Sequence, residues 1–343
     1  MNTRVEPVSA ASIAEAAALI RAGELVGMPT ETVYGLGADA LNPQAVLRIF
    51  EAKGRPADNP LIVHVADVAD VPPLVRAIPE AAKRLMEAYW PGPMTLILPK
   101  AACIPGEVSA GLDTVGIRLP DSEAARALIR AAGRPIAAPS GNRSGRPSPT
   151  TAQHMLEDMD GRIPLILDGG PCAVGVESSV IDATGEMPII LRPGGITPRM
   201  VADVLGSVTV DEHVMKPLAE GEAARSPGMK YKHYAPKAET VIFEGEAARV
   251  RAAICARYDA AVALGESPVI LGFDERDFGG RARISMGSAL RPQDAAARLF
   301  AALREADARG ATLALCEAVQ AEGIGLAVMN RMGRAAAFRI ERV

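Results

Sequence analysis

The sequence LVGMPTETVYGLG, residues 25–37, joins a short apolar strand at residues 25–28 to a loop at residues 29–37 that is rich in hydroxyl groups and glycine. Loops that follow strands carry many of the functional groups of α/β proteins. We therefore expect the loop at residues 29–37 to belong to a ligand site.

Helices are predicted on both sides of this strand and loop. The residues SIAE at 12–15 have the pattern of a capping box and predict a first helix that stops at Gly23. A second helix is predicted to begin after Asn42, whose side chain suits an N-cap. This second helix delivers Lys53 and Arg55 at its C-terminal end, so we expect an ordered element to hold both cations.

Strands and helices alternate along the rest of the chain, which predicts an α/β fold with a large, mixed, twisted sheet and flanking helices. Strands are predicted near residues 61–65, 94–98, 115–119, 135–138, 165–167 and 189–191, and later near 241–243, 269–271, 284–286 and 313–315. The pattern breaks down after residue 205. We predict a first domain at 1–205, a linker at 206–237 and a smaller Rossmann-like α/β domain at 238–343.

Composition limits the class of protein. The 343 residues are 49% hydrophobic, the formal net charge is −4, and no apolar stretch approaches the roughly 20 residues that cross a bilayer. The N-terminus lacks a basic region followed by an apolar run, so we expect a soluble, cytoplasmic protein. The four cysteines form no C-x-x-C pair, which favours reduced thiols over a zinc site. The acidic balance argues against affinity that comes mainly from coating a nucleic-acid backbone.

Three clusters have the residue types that bind phosphate: KGRP at 53–56, SGNRSGRPS at 140–148 and RPGG at 192–195. No P-loop and no glycine-rich dinucleotide motif is present, which leaves a less common nucleotide fold. The guanidinium of Arg55 offers a planar fork for phosphate oxygens. Each cluster also has a simpler interpretation, as solvated surface charge, as a flexible loop or as a salt bridge at Arg192.

Two strands carry a polar side chain among apolar neighbours. His64 is either a satisfied core histidine or a pocket group, and its position just after the basic loop favours the pocket. Arg118, flanked by valine, isoleucine and leucine, needs an anionic partner, which is either a structural aspartate or a substrate carboxylate. Cys172 has no histidine partner nearby in the sequence, so a thiol nucleophile is not expected.

Taken together, these segments resemble the Sua5/YrdC/YciO family in its long, Sua5 form. The motifs that carry the resemblance are PTETVYGLG at 29–37, KGRPADNPL at 53–61, WPGP at 90–93, GIRLP at 116–120, PSGNRSGRPSP at 139–149 and RPGG at 192–195. The segment SPGMKYKHYAP at 226–236 resembles the linker signature of the long form. Gly141 departs from the alanine that many relatives have, and Ala138 from the threonine or serine of some.

The resemblance implies an enzyme that joins ATP, L-threonine and bicarbonate or CO2 into threonylcarbamoyl-AMP and pyrophosphate, for the threonylcarbamoyl-adenosine at position 37 of tRNA. It implies a nucleotidyltransferase that needs no covalent nucleophile, so positioning and charge neutralisation should dominate. Mg²⁺ is expected to arrive with ATP, held by phosphate oxygens and water without direct protein ligands. The implied functional partner is a tRNA threonylcarbamoyltransferase of the TsaD/Kae1 type, with weak tRNA contact possible and no membrane contact.

The same resemblance assigns roles to individual residues. L-Threonine is expected to be surrounded by Thr32, His64, Arg118, Ala138 and Ser178, with Arg118 on its carboxylate and Ala138 acting through its main chain. ATP is expected to be held by Arg55, Asn59, Thr114, Ser140, Ser148, Arg192 and Tyr234. Lys53, with Arg55, adds positive charge at the phosphates, and Tyr234 places the linker over the site as a lid.

Two rival interpretations remain at this point. The run KYKHY at 230–234 interleaves bases with aromatics, which is typical of RNA-binding segments, so an RNA-binding module without adenylate synthesis is the alternative. The hydrogenase-maturation relatives use the same fold on carbamoyl phosphate, but they carry acylphosphatase and zinc-finger segments that this sequence lacks.

Overall fold

The computed structural model describes residues 2–216 and 234–343. These residues form two compact units, of which the first holds residues 2–144 and 148–216 and the second holds Gly145–Pro147 and residues 234–343. Residues 217–233, which include most of the predicted linker and lid, lie outside the described residues.

The first unit is a mixed sheet with helices on both faces. Its strands are β1 Arg4–Pro7, β2 Val26–Met28, β3 Gly35–Asp39, β4 Ile62–His64, β5 Met94–Pro99, β6 Thr114–Arg118, β7 Ile136–Ala137, β8 Leu165–Asp168, β9 Ser179–Asp182, β10 Ile189–Arg192 and β11 Thr209–Val210. Its helices are α1 Ala10–Arg21, α2 Pro43–Lys53, α3 Glu80–Tyr89, α4 Gly106–Ser109, α5 Glu123–Ala132, α6 Ala152–Met159 and α7 Pro198–Leu205. The strand order is β1-β8-β2-β3-β7-β4-β6-β5-β9-β10-β11.

This sheet contains both parallel and antiparallel pairs, so the predicted large mixed sheet is confirmed. The loop prediction for residues 29–37 is wrong in its second half, because β3 begins at Gly35 and pairs antiparallel with β2. Strand β11, which pairs in parallel with β10, lies in residues that the sequence assigned to the linker.

Two helix starts test the capping rules. Helix α2 begins after Asn42, whose side chain accepts from the amides of Gln44 and Ala45, as predicted. Helix α1 begins three residues earlier than predicted, because Ser9 is the N-cap and Ser12 is the reciprocal third residue of the capping box. Among the described residues, no helix is long and apolar enough to cross a membrane.

Most helices of the first unit cover one face of the sheet, which we call the back face. Side chains at alternate positions of β4, β5 and β6, such as Val63, Leu96 and Ile117, pack there in one large core with residues of α2, α3, α6 and α7. Helices α1 and α5 cover the β2, β7 and β8 end of the opposite, front face. Because successive residues of a strand point to opposite faces, the remaining front face carries the alternate residues of β4, β6 and β5.

The second unit is a parallel sheet with helices, as predicted for the smaller domain. Its strands are β12 Glu239–Glu244, β13 Pro268–Gly272, β14 Arg283–Ser285, β15 Leu313–Glu317 and β16 Ile340–Arg342, in the order β14-β13-β15-β12-β16. Every pair is parallel. Its helices are α8 Ala247–Ala263, α9 Pro292–Ala308 and α10 Gly325–Ala335.

Candidate active site

A row of polar side chains crosses the front face of the large sheet. His64 of β4 is paired in register with Arg118 of β6, and Arg118 is paired with Thr95 of β5. Residues paired in register point to the same face, so the imidazole, guanidinium and hydroxyl lie side by side. One row of the front face therefore holds a cation and its polar neighbours.

The guanidinium of Arg118 is buried, with 4% of the residue exposed. Its Nη1 donates to the Thr32 hydroxyl at 2.9 Å, and its Nη2 lies 2.6 Å from Oε1 of Glu31 in an ion pair that is not aligned as a hydrogen bond. The loop after β2 thus supplies the anionic partner that the sequence required. That partner is a glutamate, whereas the sequence left open an aspartate or a substrate.

The loop that supplies Glu31 and Thr32 is held by its own hydroxyl groups. Thr30 Oγ1 lies 2.9 Å from Thr32 Oγ1 and donates to the Val33 carbonyl at 2.6 Å. Both threonines are buried. Because these contacts fix the loop locally, the Thr32 hydroxyl reaches Arg118 without depending on a ligand.

His64 is neutral. Burial first, and the nearby Arg118 guanidinium second, lower its pKa from the ordinary 6.5 to about 3. Its Nδ1 lies 3.2 Å from the Ile62 carbonyl oxygen. Because that carbonyl oxygen can only accept, Nδ1 is the protonated nitrogen, and Nε2 of the neutral imidazole can accept a hydrogen bond from a ligand. The ring adds no positive charge beside Arg118.

Ser178 and Arg192 extend the row at the start of β9 and the end of β10. The hydroxyl of Ser178 lies 2.8 Å from Thr95 Oγ1, and Arg192 donates to the Ser178 carbonyl at 3.0 Å and to its hydroxyl at 3.2 Å. Gly194 makes this approach possible, because a Cβ there would lie 2.3 Å from the amide nitrogen of Ser179. The glycine of the RPGG motif is thus a packing requirement.

Lys53, at the end of α2, acts as a tether in this structure. Its ammonium group donates to the carbonyl oxygens of Ser140 and Asn142, the second at 2.6 Å. Its own carbonyl accepts from the Ser144 amide at 2.9 Å. Burial first, and Arg55 second, hold the pKa of Lys53 well below its usual range.

Arg55 and Asn59 form a buried corner next to this tether. Arg55 donates to the Asn59 carbonyl at 3.0 Å, and its guanidinium lies 5.2 Å from the centre of the Phe50 ring. Asn59 is 0% exposed, yet neither atom of its side-chain amide has a hydrogen-bond partner among the described residues. The Asn59 amide therefore has a donor and an acceptor that a polar ligand could use.

The front face also has an apolar strip next to the row of His64, Arg118 and Thr95. Ile62 of β4, Gly116 of β6 and Ile97 of β5 are paired across it, and Thr114 lies at its edge in a small groove. A Cβ on Gly116 would lie only 3.1 Å from Thr95 Cγ2. The absent side chain keeps the strip low enough for a ligand to lie on it.

The loop at residues 138–148 contributes main-chain groups and one buried hydroxyl. The amide of Ala138 donates to the Ile62 carbonyl at 2.9 Å, which leaves its own carbonyl to accept from a ligand. Ser140 forms a bridge with Gly35, and Ser148 donates its hydroxyl to Glu177. The buried Ser148 is therefore oriented by a carboxylate.

The predicted site residues do not all fall in one unit. Tyr234 belongs to the second unit, where its ring lies 5.1 Å from the Phe300 ring, and the other predicted residues belong to the first unit. Sequence reasoning assigned no site role to Glu31, Thr95 or Glu177. A signal existed for Thr95, which alternates with apolar residues along β5, and Glu31 lies inside the motif at 29–37.

The Cys172 thiol and the arrangement of possible metal ligands bear on the chemistry of this unit. Burial raises the pKa of Cys172 to about 12, so its thiol stays protonated. No group of three or more histidine, cysteine, aspartate or glutamate side chains is arranged to hold a metal ion within residues 2–216 and 234–343.

Comparison with known families accounts for both units. A family model described as telomere recombination, which spans Sua5, YciO and YrdC proteins, matches residues 18–194. A second model, described as the C-terminal domain of threonylcarbamoyl-AMP synthase, matches residues 196–337.

Individual relatives match over nearly the whole chain. A Pyrococcus abyssi protein named threonylcarbamoyl-AMP synthase is 46% identical over 328 residues, covering 96% of this chain and 95% of that protein. A Bacillus subtilis protein of the same name is 46% identical over 333 residues, covering 96% and 94%. The solved structure of Pyrococcus abyssi Sua5 complexed with L-threonine is 44% identical, with a TM-score of 0.94, and the match covers 100% of this chain and 99% of that one. The chain therefore belongs to the Sua5/YrdC/YciO family, in the long form that carries an additional C-terminal domain.

Proposed function

We propose that this protein is a threonylcarbamoyl-AMP synthase, a nucleotidyltransferase that forms threonylcarbamoyl-AMP and pyrophosphate from ATP, L-threonine and bicarbonate or CO2. Relatives of that name match both units of the chain. The observation that carries the proposal is the front-face row, in which the buried Arg118 is paired with the Glu31 carboxylate beside the polar side chains of His64 and Thr95.

Arg118 is the proposed site of the threonine carboxylate. In this structure the guanidinium is neutralised by Glu31, and a substrate carboxylate would take over that place with the aligned, two-pronged contact that Glu31 does not make. Thr32, Ser178 and the neutral His64 would supply hydrogen bonds to the rest of the amino acid. The Ala138 carbonyl is available for the amine.

Glu31 then has a second proposed role. The ammonium group of threonine must lose two protons to form a carbamate with CO2, or one proton with release of water when bicarbonate reacts. A carboxylate that has been displaced from Arg118 would remain beside the substrate and could accept one proton, and on the CO2 route the second proton would pass to solvent water. Glu31 would thus exchange a structural ion pair for a proton-accepting role when threonine binds.

The second step joins the carbamate to the nucleotide. A carbamate oxygen attacks the α-phosphorus of ATP, the bond to the β-phosphate oxygen breaks, and pyrophosphate leaves. Arg55, Asn59, Thr114, Ser140, Ser148 and Arg192 are the proposed ATP contacts in the first unit, and Tyr234 is proposed from the family resemblance. Arg192 also donates to Ser178, so it would link the proposed ATP contacts to the proposed threonine contacts.

Lys53 would contribute to this step mainly by positioning a loop. Its ammonium group donates to the carbonyl oxygens of Ser140 and Asn142, so it would fix the loop whose hydroxyls and amides are proposed to contact the phosphates. Mg²⁺ enters the proposal with ATP, held by phosphate oxygens and water, where it would neutralise charge on the leaving pyrophosphate.

The wider role follows from the family resemblance. We infer that the product serves the modification of adenosine 37 in tRNA, through a transferase of the TsaD/Kae1 type, in the cytoplasm, with at most weak direct contact to tRNA.

The test is pyrophosphate release by the purified chain with ATP and Mg²⁺. Release that requires both L-threonine and bicarbonate, and that falls when L-serine replaces L-threonine, is the expected result. Threonine-independent release would contradict the proposal, and no release by a folded protein that binds tRNA with a steep salt dependence would favour the RNA-binding alternative.

A further inference from the structure

The second unit has a crevice at the carboxyl edge of its parallel sheet. Strands β12 and β15 are neighbours, but the chain leaves them in opposite directions. From β12 it passes through α8 to β13, two places towards one edge, and from β15 it passes through α10 to β16, two places towards the other edge. Right-handed crossovers then place α8 and α10 on opposite faces of the sheet. Such a switch point opens a crevice where ligands bind in parallel α/β sheets.

This crevice has the size and lining of a small-molecule site. Its volume is about 510 Å³, within the range of ligand pockets. It is lined by the ends of β12 and β15 and by the segments that follow β13 and β14. Phe243, Phe273 and Val319 supply apolar walls, while Arg276 and Glu317 supply opposite charges.

Glu317 is the feature that calls for a ligand. It ends β15 and is only 7% exposed. Its Oε1 accepts from Nε of Arg276 at 2.8 Å, whereas its buried Oε2 has no hydrogen-bond partner among the described residues. A buried carboxylate oxygen without a donor costs free energy, which a hydroxyl group from a ligand would recover.

The remaining chemistry narrows the class of ligand. Arg276 uses one of its five N–H groups on Glu317 and is partly exposed, so its guanidinium is accessible to an anion. The crevice thus contains an acceptor for hydroxyl groups, a cation that can bind a phosphate, and apolar walls that can pack against a base. We propose that this crevice binds a ribonucleoside monophosphate, with the ribose hydroxyls donating to Glu317, the phosphate at Arg276 and the base against the phenylalanines.

The proposal uses only residues of the second unit and does not depend on the proposed synthase activity. It is tested by hydrogen–deuterium exchange of the full chain, with AMP as the probe. The readout is protection of peptides that cover residues 239–250 and 313–322, which include the carboxyl ends of β12 and β15. The Arg55→Ala variant, which removes a proposed ATP contact, is run in parallel.

Matched ligands and variants separate the contacts. AMP is expected to protect both peptides in the wild type and in Arg55→Ala. Glu317→Gln, which keeps the shape of the side chain, should weaken this protection about tenfold or more, since hydrogen bonds to charged groups are among the strongest. Dideoxy-AMP, which lacks both ribose hydroxyls, should protect the wild-type peptides as weakly as AMP protects those of Glu317→Gln. Arg281→Gln, which breaks an arginine–carboxylate pair with Asp259 outside the crevice lining, should bind AMP normally.

A second variant keeps the test decisive if Glu317→Gln fails to fold. Ala289 lines the mouth and is only partly buried, so Ala289→Trp fills the crevice without entering the core. Loss of protection in this variant supports the site. Absence of AMP protection in the wild type, or equal protection in Glu317→Gln, would overturn the proposal. Failed pyrophosphate release with intact protection would count against the synthase activity alone.

Discussion

The two sheets of this protein place their polar groups in different ways. In the first unit, His64, Arg118 and Thr95 stand on the face of a mixed sheet, in register across three strands. In the second unit, Glu317 ends a parallel strand, and the polar groups gather at the strand ends.

The difference teaches how each kind of site can be recognised. A site on a sheet face can be recognised in the sequence as a charged residue that alternates with apolar residues inside a strand, as Arg118 does. A site at a switch point depends on strand order, which a single sequence does not give. The first was therefore visible in the sequence, whereas the second required the structure.

Replacing Arg118 should give the largest effect, because it removes the buried cation on which the face site depends. Arg118→Ala is expected to lower threonine-dependent kcat/KM about 10²- to 10³-fold, since it leaves a buried carboxylate unpaired. Arg118→Lys should recover little of this, because an ammonium group lacks the planar fork. The measurement is pyrophosphate release, with Arg281→Gln of the second sheet as the control. A threonine KM within threefold of wild type in Arg118→Ala would break the account of the face site.

Gly194→Ala should destabilise the first unit by about 3 kcal/mol, because its Cβ would overlap the backbone of residues 177–179. Urea unfolding followed by circular dichroism measures this loss. Gly185→Ala is the matched control, since nothing lies within 4 Å of a Cβ there. Equal stability of the two variants would mean that the RPGG turn does not pack as described.

Glu31→Gln should lower kcat about 10²-fold, the lower end of the usual contribution of a general base, while the KM for threonine stays the same or falls. The neutral amide competes less with the substrate carboxylate for Arg118. Steady-state kinetics across a range of threonine concentrations separate the two parameters. A rise in KM with unchanged kcat would assign Glu31 a purely structural part.

His64 should make stability depend on pH in the acid range. Its folded pKa of about 3 lies below the ordinary 6.5, so below pH 6.5 the unfolded chain binds a proton that the folded chain does not. The contribution of His64 to the free energy of unfolding is therefore fully present above pH 6.5. As the pH falls from 6.5 towards 3, this contribution is lost by up to about 1.4 kcal/mol per pH unit. Subtracting the unfolding free energy of His64→Asn at each pH isolates this slope, and a flat difference would contradict the buried, neutral imidazole.

Gly141→Ala should have the smallest effect, within about 1 kcal/mol. A Cβ at residue 141 would lie 2.6 Å from the terminal methyl group of Met155, which is flexible and can move aside. Thermal unfolding compares this variant with Gly194→Ala, whose Cβ meets rigid backbone. A large loss at Gly141 would show that Met155 is fixed by its surroundings.

Much of the first unit could be predicted from residues alone. Asn42 and Pro43 define the start of α2 because capping is local chemistry, and the apolar runs define β4, β5, β6 and β8. Strand β3 was missed because its glycines suggest a loop, and only pairing with β2 makes it a strand. The helix start at Ser9 was missed because a serine at the third position replaces the usual glutamate.

The site itself was predicted in part. The residue types at 53–61, 118 and 192 indicated cations for anionic ligands, and burial of Lys53 and Arg118 agrees with held rather than solvated charges. The Glu31–Arg118 pair and the unpartnered amide of Asn59 were not predictable, because each depends on how distant segments meet.

The most direct test of the central claim is mass spectrometry of the nucleotide product formed from ATP, L-threonine and ¹³C-labelled bicarbonate. The account predicts threonylcarbamoyl-AMP that carries one labelled carbon with the wild-type chain, and its loss with Arg118→Ala. Pyrophosphate release without a labelled product, or a product that forms equally well with Arg118→Ala, would contradict the claim that the front-face row binds and activates threonine.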